Sequence, residues 1–168
     1  MENILRGKAW KFGDNISTDH IAPGRYFHLR SQLDELAKHV LEDADAEFAS
    51  KMAPGDFVVG GSNFGLGSSR EHAPTIIKIA GVSAVIAESF ARIFFRNCIN
   101  VGLPVVWLDT ENIETGDELE VDLEKGILLN VTKGTKQEFP ALPPVMTQIL
   151  EDGGLAEHVR KNGDLKLA

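Results

Sequence analysis

The apolar positions of this chain fall into two kinds of run. Three short blocks are apolar almost without interruption: Phe57-Val58-Val59, Ser83 to Ala87, and Leu103 to Trp107. Blocks of this length without alternation predict strands buried on both faces. An earlier segment, Ile4 to Phe12, sets Trp10 and Phe12 among basic residues and predicts a further strand or strand pair. Helical patterns fill the gaps, from about Ser69 to Ile79 with Pro74 near the first turn, and from Ser89 to Asn100 with a serine near its start. Strand, helix, strand, helix, strand at this spacing predicts crossover units and a parallel sheet.

Elsewhere the pattern differs. Leu33, Leu36, Ala37 and Val40 share one face, which predicts a helix from Gln32 into the region ended by Pro54-Gly55. Pro23-Gly24 argues against a helix upstream, so Asp19 to Arg30 reads as a long ordered loop. From Glu118 to Pro140 apolar and polar residues alternate, with Lys125-Gly126 and Lys133-Gly134 at the turns, predicting an antiparallel meander. The tail from Pro144 through Arg160 predicts helix broken at Gly153-Gly154. The expectation is one α/β domain over residues 1–168, its parallel-rich sheet flanked by helices and followed by an antiparallel β segment.

Composition narrows the function classes. With 43% hydrophobic and 25% charged residues, the chain has the mix of a soluble globular protein. Neither a signal-peptide run nor an apolar stretch near the roughly 20 residues of a membrane span occurs, so a cytoplasmic protein with no membrane partner is expected. A net charge of −8 with scattered basic residues argues against nucleic acid. The single cysteine, Cys98, excludes an internal disulfide and cannot alone hold a metal cluster; among Phe94, Phe95 and Ile99 it reads as a buried, inert thiol. No metal is expected in this chain.

The strongest chemical signal is the stretch from Gly60 to His72. Gly60, Gly61, Gly65 and Gly67 free the backbone for close approach to a ligand. A helix starting near Ser69 would aim its free N–H groups at that turn, and Arg70 adds a planar fork for a carboxylate or phosphate. The stretch is not a P-loop, since no lysine precedes Ser68, and a dinucleotide fingerprint would need glycine at Arg70. Read from the residues alone, Ser68 or Ser69 is equally a helix cap, and two adjacent serines are able to divide capping and catalysis. A second segment, Ser17-Thr18-Asp19-His20, is by itself a loop whose aspartate makes an Asx-turn and whose histidine packs, with Arg25 and Arg30 as surface charges.

Together these segments resemble the aconitase superfamily, specifically its mobile C-terminal swivel domain. STDHIAPG (17–24) resembles the family's TD-x-I-x-P/A loop, GSNFGLGSSREHA (61–73) its N-[FY]-G-x-G-SSRE-x-A turn, and AVIAESFARIFFRN (84–97) the strand and helix that follow. Order and spacing match from Lys8 to Val106. The resemblance implies a swivel-type β/β/α fold. It also implies that Ser68 is the base removing the proton α to a carboxylate, that Ser69 donates a hydrogen bond, and that Arg70 holds a substrate carboxylate. Asp19 matches an aspartate that orients a histidine of another subunit, and Arg30 resembles an arginine that grips a second carboxylate.

A free-standing chain of this kind is similar to the small subunits of two-subunit hydro-lyases acting on 3-isopropylmalate, homoaconitate-type or 2,3-dimethylmalate and citraconate-type acids. These isomerise a 2-hydroxy acid by dehydration and rehydration, and a [4Fe-4S] cluster is expected on the large subunit. The 3-isopropylmalate activity of leucine synthesis is the leading expectation. The family's substrate-selecting loop falls within Tyr26, Phe27, His28, Leu29, Arg30 and Ser31. Aligned one way, Arg30-Ser31 matches a pair binding an extra carboxylate; aligned from Tyr26, Phe27 and His28 take the selecting positions. The alternative from another class is a non-catalytic anion-binding regulatory module that keeps the glycine turn without the chemistry.

Overall fold

The computed structural model describes residues 4–67 and 72–163. In chain order it contains β1 (Ile4–Lys11), α1 (Thr18–Ile21), a 3-10 helix (Gly24–Leu29), α2 (Leu33–Ala37), α3 (Phe48–Lys51), β2 (Phe57–Val59), α4 (His72–Ala80), β3 (Ala84–Ala87), α5 (Arg92–Val101), β4 (Val105–Trp107), β5 (Glu118–Asp122), β6 (Ile127–Asn130), β7 (Thr135–Glu138), α6 (Pro144–Glu151) and α7 (Leu155–Asn162). The strands form one sheet of order β4-β3-β2-β1-β5-β6-β7. Strands β4, β3, β2 and β1 are parallel, and β1, β5, β6 and β7 are joined antiparallel as a meander.

β1 belongs to both halves. Ala9–Lys11 pair with Phe57–Val59 in parallel, while Ile4–Lys8 pair with β5 in the antiparallel sense. At the divergence the backbones crowd: a Cβ on Gly7 would lie 2.1 Å from the Gly55 carbonyl oxygen. The buried Asp56 carboxylate fills the fork, accepting from the Lys8 amide (3.1 Å), the Trp10 indole (2.9 Å) and the Ala53 amide (2.9 Å). Three N–H donors offset the cost of taking that carboxylate out of water.

The unbroken apolar runs follow from burial on both faces. Val58, Val85, Ala87 and Val105 point to the core shared with Ile76, Ile77, Phe94 and Cys98 of α4 and α5. Phe57, Val59, Ala84, Ile86 and Val106 point the other way, onto Leu119, Val121 and Leu128 of the meander. The layers are therefore meander, parallel sheet and helices. The meander, which the sequence pattern sets apart as a separate β segment, covers the second face of the sheet. Its last strand approaches the opposite edge, where Gln137 donates to the Asp109 carbonyl at 2.8 Å and curls the sheet toward closure.

Two helical expectations change. The segment from Asp19 to Arg30 is not a plain loop: Pro23 ends α1's exit and precedes the 3-10 helix. The helix expected after Gln32 is cut to five residues, with further turns up to α3. The break is tertiary, because buried Leu41 takes a φ of 56° to give its amide to the Ile21 carbonyl at 3.0 Å. Asp45 then bonds the Glu47 amide through its own side chain (2.9 Å), which competes with a helical ladder.

At the C-terminal end, Gly153 and Gly154 adopt φ of 94° and 125°, and a Cβ on Gly154 would meet the Asn100 carbonyl at 2.6 Å. Across this corner the buried His158 ring contacts Asp152 at 2.7 Å. The bond to His158, with Lys161 and Gln148 and against the opposing effect of burial, lowers the Asp152 carboxyl to about 2. A depressed carboxyl adds stability that is fully present above its unfolded value of about 4 and lost as pH falls through the folded value. Asp152→Asn is expected to destabilise the chain near neutral pH in urea titrations. Its deficit relative to wild type should shrink as pH drops from about 4 toward about 2; a deficit independent of pH would show that the charge does not hold α7.

Candidate active site

The pairing of β1 with β2 does not stop at the sheet. Beyond Lys11 and Val59 the two chains stay in parallel register: Gly61 N–H donates to Gly13 (3.1 Å), Asn15 to Ser62 (2.8 Å), Gly65 to Ile16 (2.6 Å) and Thr18 to Leu66 (2.8 Å). On its other side the glycine segment bonds the loop after β3, with Phe64 N–H to Ser89 (3.0 Å) and Ala91 N–H to Phe64 (2.9 Å). Three loops at the carboxyl ends of adjacent parallel strands are thus stitched together, the place where open α/β sheets carry their sites.

Glycine is required at two points of this seam. Gly65 has a φ of 85°, and a Cβ there would sit 2.1 Å from the Phe94 ring. Gly67 has a φ of 112°, and a Cβ there would lie 3.1 Å from Thr18 Oγ1. A larger residue at 67 would therefore push the turn away from α1.

α1 begins against that glycine. Ser17 is its N-cap, accepting from the His20 amide (3.2 Å), while the Ser17 amide donates to His20 Nδ1 (2.9 Å). This reciprocal pair satisfies the helix entry, and the acceptor role of Nδ1 places the proton of the neutral ring on Nε2. His20 is thereby a capping residue. Thr18 is buried, and Asp19 lies exposed in the first turn. The structure brings the Asp19 segment and the glycine turn together. Ser68, Ser69 and Arg70 follow Gly67 directly but lie outside the described residues.

The expected selecting loop divides by burial. Tyr26 is half-buried and stacked on His39 (3.8 Å between centroids, 14° between planes), and Leu29 packs on the core. Phe27, His28, Arg30 and Ser31 are exposed. Arg30 folds back over the Phe27 ring at 4.3 Å and donates to the Phe27 carbonyl at 3.2 Å. The chain passes from this turn to Asp19 through Gly24, whose Cβ would stand 3.5 Å from Asp19 Oδ1.

Two contributors were not legible as site residues. Thr18 shows its role only in the fold, where its amide bonds Leu66 and its Oγ1 would lie 3.1 Å from a Cβ on Gly67. Ser89, near the expected start of α5, accepts the Asn63 amide at 2.7 Å and steadies the glycine loop, while Ala91 takes the cap position without a side-chain bond. The α5 residue Cys98 is buried, and burial pushes its thiol well above the ordinary value. Among the described residues no three His, Cys, Asp or Glu side chains group as metal ligands. The donors here do not fit an iron–sulfur cluster. A cleft of about 850 Å³ around Trp10, Asp56 and Glu118 is lined by none of the residues in these three loops.

A family model, the aconitase C-terminal domain, matches residues 13–110, the span holding all three loops. The chain belongs to that family. Within it, the chain is 65% identical to 3-isopropylmalate dehydratase small subunit 2 of Archaeoglobus fulgidus, covering 96% of this chain and 98% of the relative. It is 53% identical to the methanogen homoaconitase small subunit of Methanothermobacter thermautotrophicus, covering 98% and 95%. A crystal structure of 3-isopropylmalate dehydratase from Methanocaldococcus jannaschii superposes with a TM-score of 0.92 at 42% identity, covering 95% of each chain. The likeness to these small subunits runs over nearly the whole length of both chains.

Crowding the glycine turn against Phe94 of α5 should be costly. Gly65→Ala is expected to lose about 2 kcal/mol or more, from the Phe94 clash together with the positive φ. Denaturant unfolding measures this, and a change below a few tenths would show that the turn yields without strain.

Proposed function

We propose that this chain is the small subunit of a 3-isopropylmalate dehydratase, a hydro-lyase that isomerises its 2-hydroxy acid by dehydration and rehydration with a large subunit as partner. The observation that carries the reading is the bond from the Thr18 amide to the Leu66 carbonyl (2.8 Å), which fixes the start of the Asp19 helix beside the turn leading into Ser68. Relatives bearing that name, at 65% and 61% identity over nearly whole chains, support it. No described helix is long and apolar enough to cross a membrane, and a cytoplasmic location is part of the proposal.

In this reading Ser68 removes the proton α to a carboxylate. A serine hydroxyl is too weak a base unless N–H dipoles and a cation stabilise its alkoxide. The glycine turn and Arg70 are assigned that task, with Arg70 also holding the carboxylate and Ser69 donating a hydrogen bond. Asp19, exposed at the start of α1, orients a proton-carrying histidine of the large subunit. A [4Fe-4S] cluster on the large subunit would supply Lewis acidity to the departing hydroxyl.

Arg30 supports a second reading. Its exposure, with the likeness to the homoaconitase small subunit, favours a substrate with an additional carboxylate. The apolar Phe27 surface beneath it favours a branched apolar group. Turnover of 3-isopropylmalate against homologous tricarboxylates by the reconstituted complex decides between them.

Ser68→Ala, combined with the large subunit, is expected to bind substrate with little change and lose about 10³-fold or more in kcat, the scale of a deleted general base. Retained turnover would remove Ser68 from the role of base. Arg70→Lys is expected to raise KM about tenfold or more, since an ammonium cannot reproduce the two-pronged grip on a carboxylate; an unchanged KM would place the carboxylate elsewhere.

A further inference from the structure

The outward-facing residues of the 3-10 helix are held from behind by a cluster that the proposed chemistry does not use. Tyr26 lies flat on His39, and Arg25 reaches Asp43 Oδ1 at 2.5 Å and Glu42 Oε2 at 2.9 Å, with its guanidinium 4.8 Å from the Tyr26 ring. His39 Nδ1 stands 3.4 Å from the same Glu42 oxygen. Burial would raise the Glu42 carboxyl, but bonds from Tyr26 and Arg25 and the neighbouring His39 outweigh it and hold it below its ordinary value.

The segment that receives these contacts is itself fixed. Leu41, buried at a positive φ, gives its amide to Ile21 at the end of α1. Gly24 lies near Asp19, since a Cβ on it would stand 3.5 Å from Asp19 Oδ1. The Asp19 helix, the 3-10 helix and residues 39–43 are therefore one unit, and the stack and ion pairs form its clasp. An isolated exposed ion pair would contribute little, but one guanidinium shared by two carboxylates and bracketed by a stacked ring is a network.

We propose that Tyr26 and Arg25, clasped to His39, Glu42 and Asp43, are positioning residues that orient Phe27, His28, Arg30 and Ser31 beside Asp19 and thereby set which side group of the hydroxy acid is accepted. The proposal rests on the dehydratase reading. It moves Tyr26 from reading the substrate to anchoring the residues that do. With the clasp closed, Arg30 covers Phe27 and the pair offers an apolar surface edged by one cation. With it open, the turn would lose a single orientation, and binding would weaken without damage to the proton-moving groups.

The test compares His39→Ala, which removes the stacked ring, with His39→Phe, which keeps it. In the reconstituted complex, His39→Ala is expected to raise KM about tenfold, to leave kcat within about twofold and to narrow the preference between 3-isopropylmalate and its carboxylated homologues, since misorientation acts on binding geometry. His39→Phe should restore KM. An unchanged KM in His39→Ala, or equal losses of kcat and melting temperature in both variants, overturns the positioning role.

Amide exchange on the full chain tests the clasp apart from the reaction. The Tyr26 and Arg30 amides, bonded to Pro23 and Phe27, should exchange about tenfold faster in His39→Ala and not in His39→Phe. Unaltered exchange refutes the clasp whatever the substrate. Absence of turnover by the wild-type complex on every hydroxy acid refutes the dehydratase reading, and the specificity role with it.

Discussion

The structure turns on a parallel pairing that outlasts its sheet. β1 and β2 are paired for only three residues each, yet their chains remain bonded from Gly13 and Gly61 out to Thr18 and Leu66. Where the two chains run close a side chain is excluded: a Cβ on Gly61 would run into the Asp14 carboxylate, and one on Gly67 would lie 3.1 Å from Thr18 Oγ1. At its other end β1 leaves β2 for β5, so a single segment joins the meander, the parallel sheet and the site.

That seam explains why the catalytic expectation is spread over two stretches far apart in sequence. A helix of four residues has little stability of its own. α1 is held by the Ser17–His20 cap, by the Thr18 amide on the Leu66 carbonyl and by the Leu41 amide on Ile21. The Asp19 carboxylate is thus carried on a rigid mount, while its exposure suits a site completed by a second subunit. In the proposed division of labour the cation, base and orienting carboxylate lie here and the cluster on the partner.

The sheet was legible because its signals are local. Uninterrupted apolar runs mark strands covered on both sides, and Lys125-Gly126 and Lys133-Gly134 mark turns whose glycines adopt φ of 69° and 70°. The meander's place over the second face was not, since β1–β5 pairing spans more than a hundred residues. The helix expected from Gln32 was read too long because its pattern yields to Leu41's bond with Ile21, which no window of sequence contains. The two motif stretches were legible as a resemblance, and the structure brings the Asp19 helix against the glycine stretch. The division of the 26–31 segment into Tyr26 and Leu29 as anchors and Phe27, His28, Arg30 and Ser31 as exposed groups needed His39 and the core to be in place.

The central claim, that the Asp19 segment and the turn leading into Ser68 form one catalytic unit, is tested most directly by a double-mutant cycle. Asp19→Asn, Ser68→Ala and the double variant would each be assembled with the large subunit and their kcat values compared. Groups acting as a unit are strongly non-additive. The account predicts a double variant no slower than the slower single variant; losses that multiply independently would contradict it.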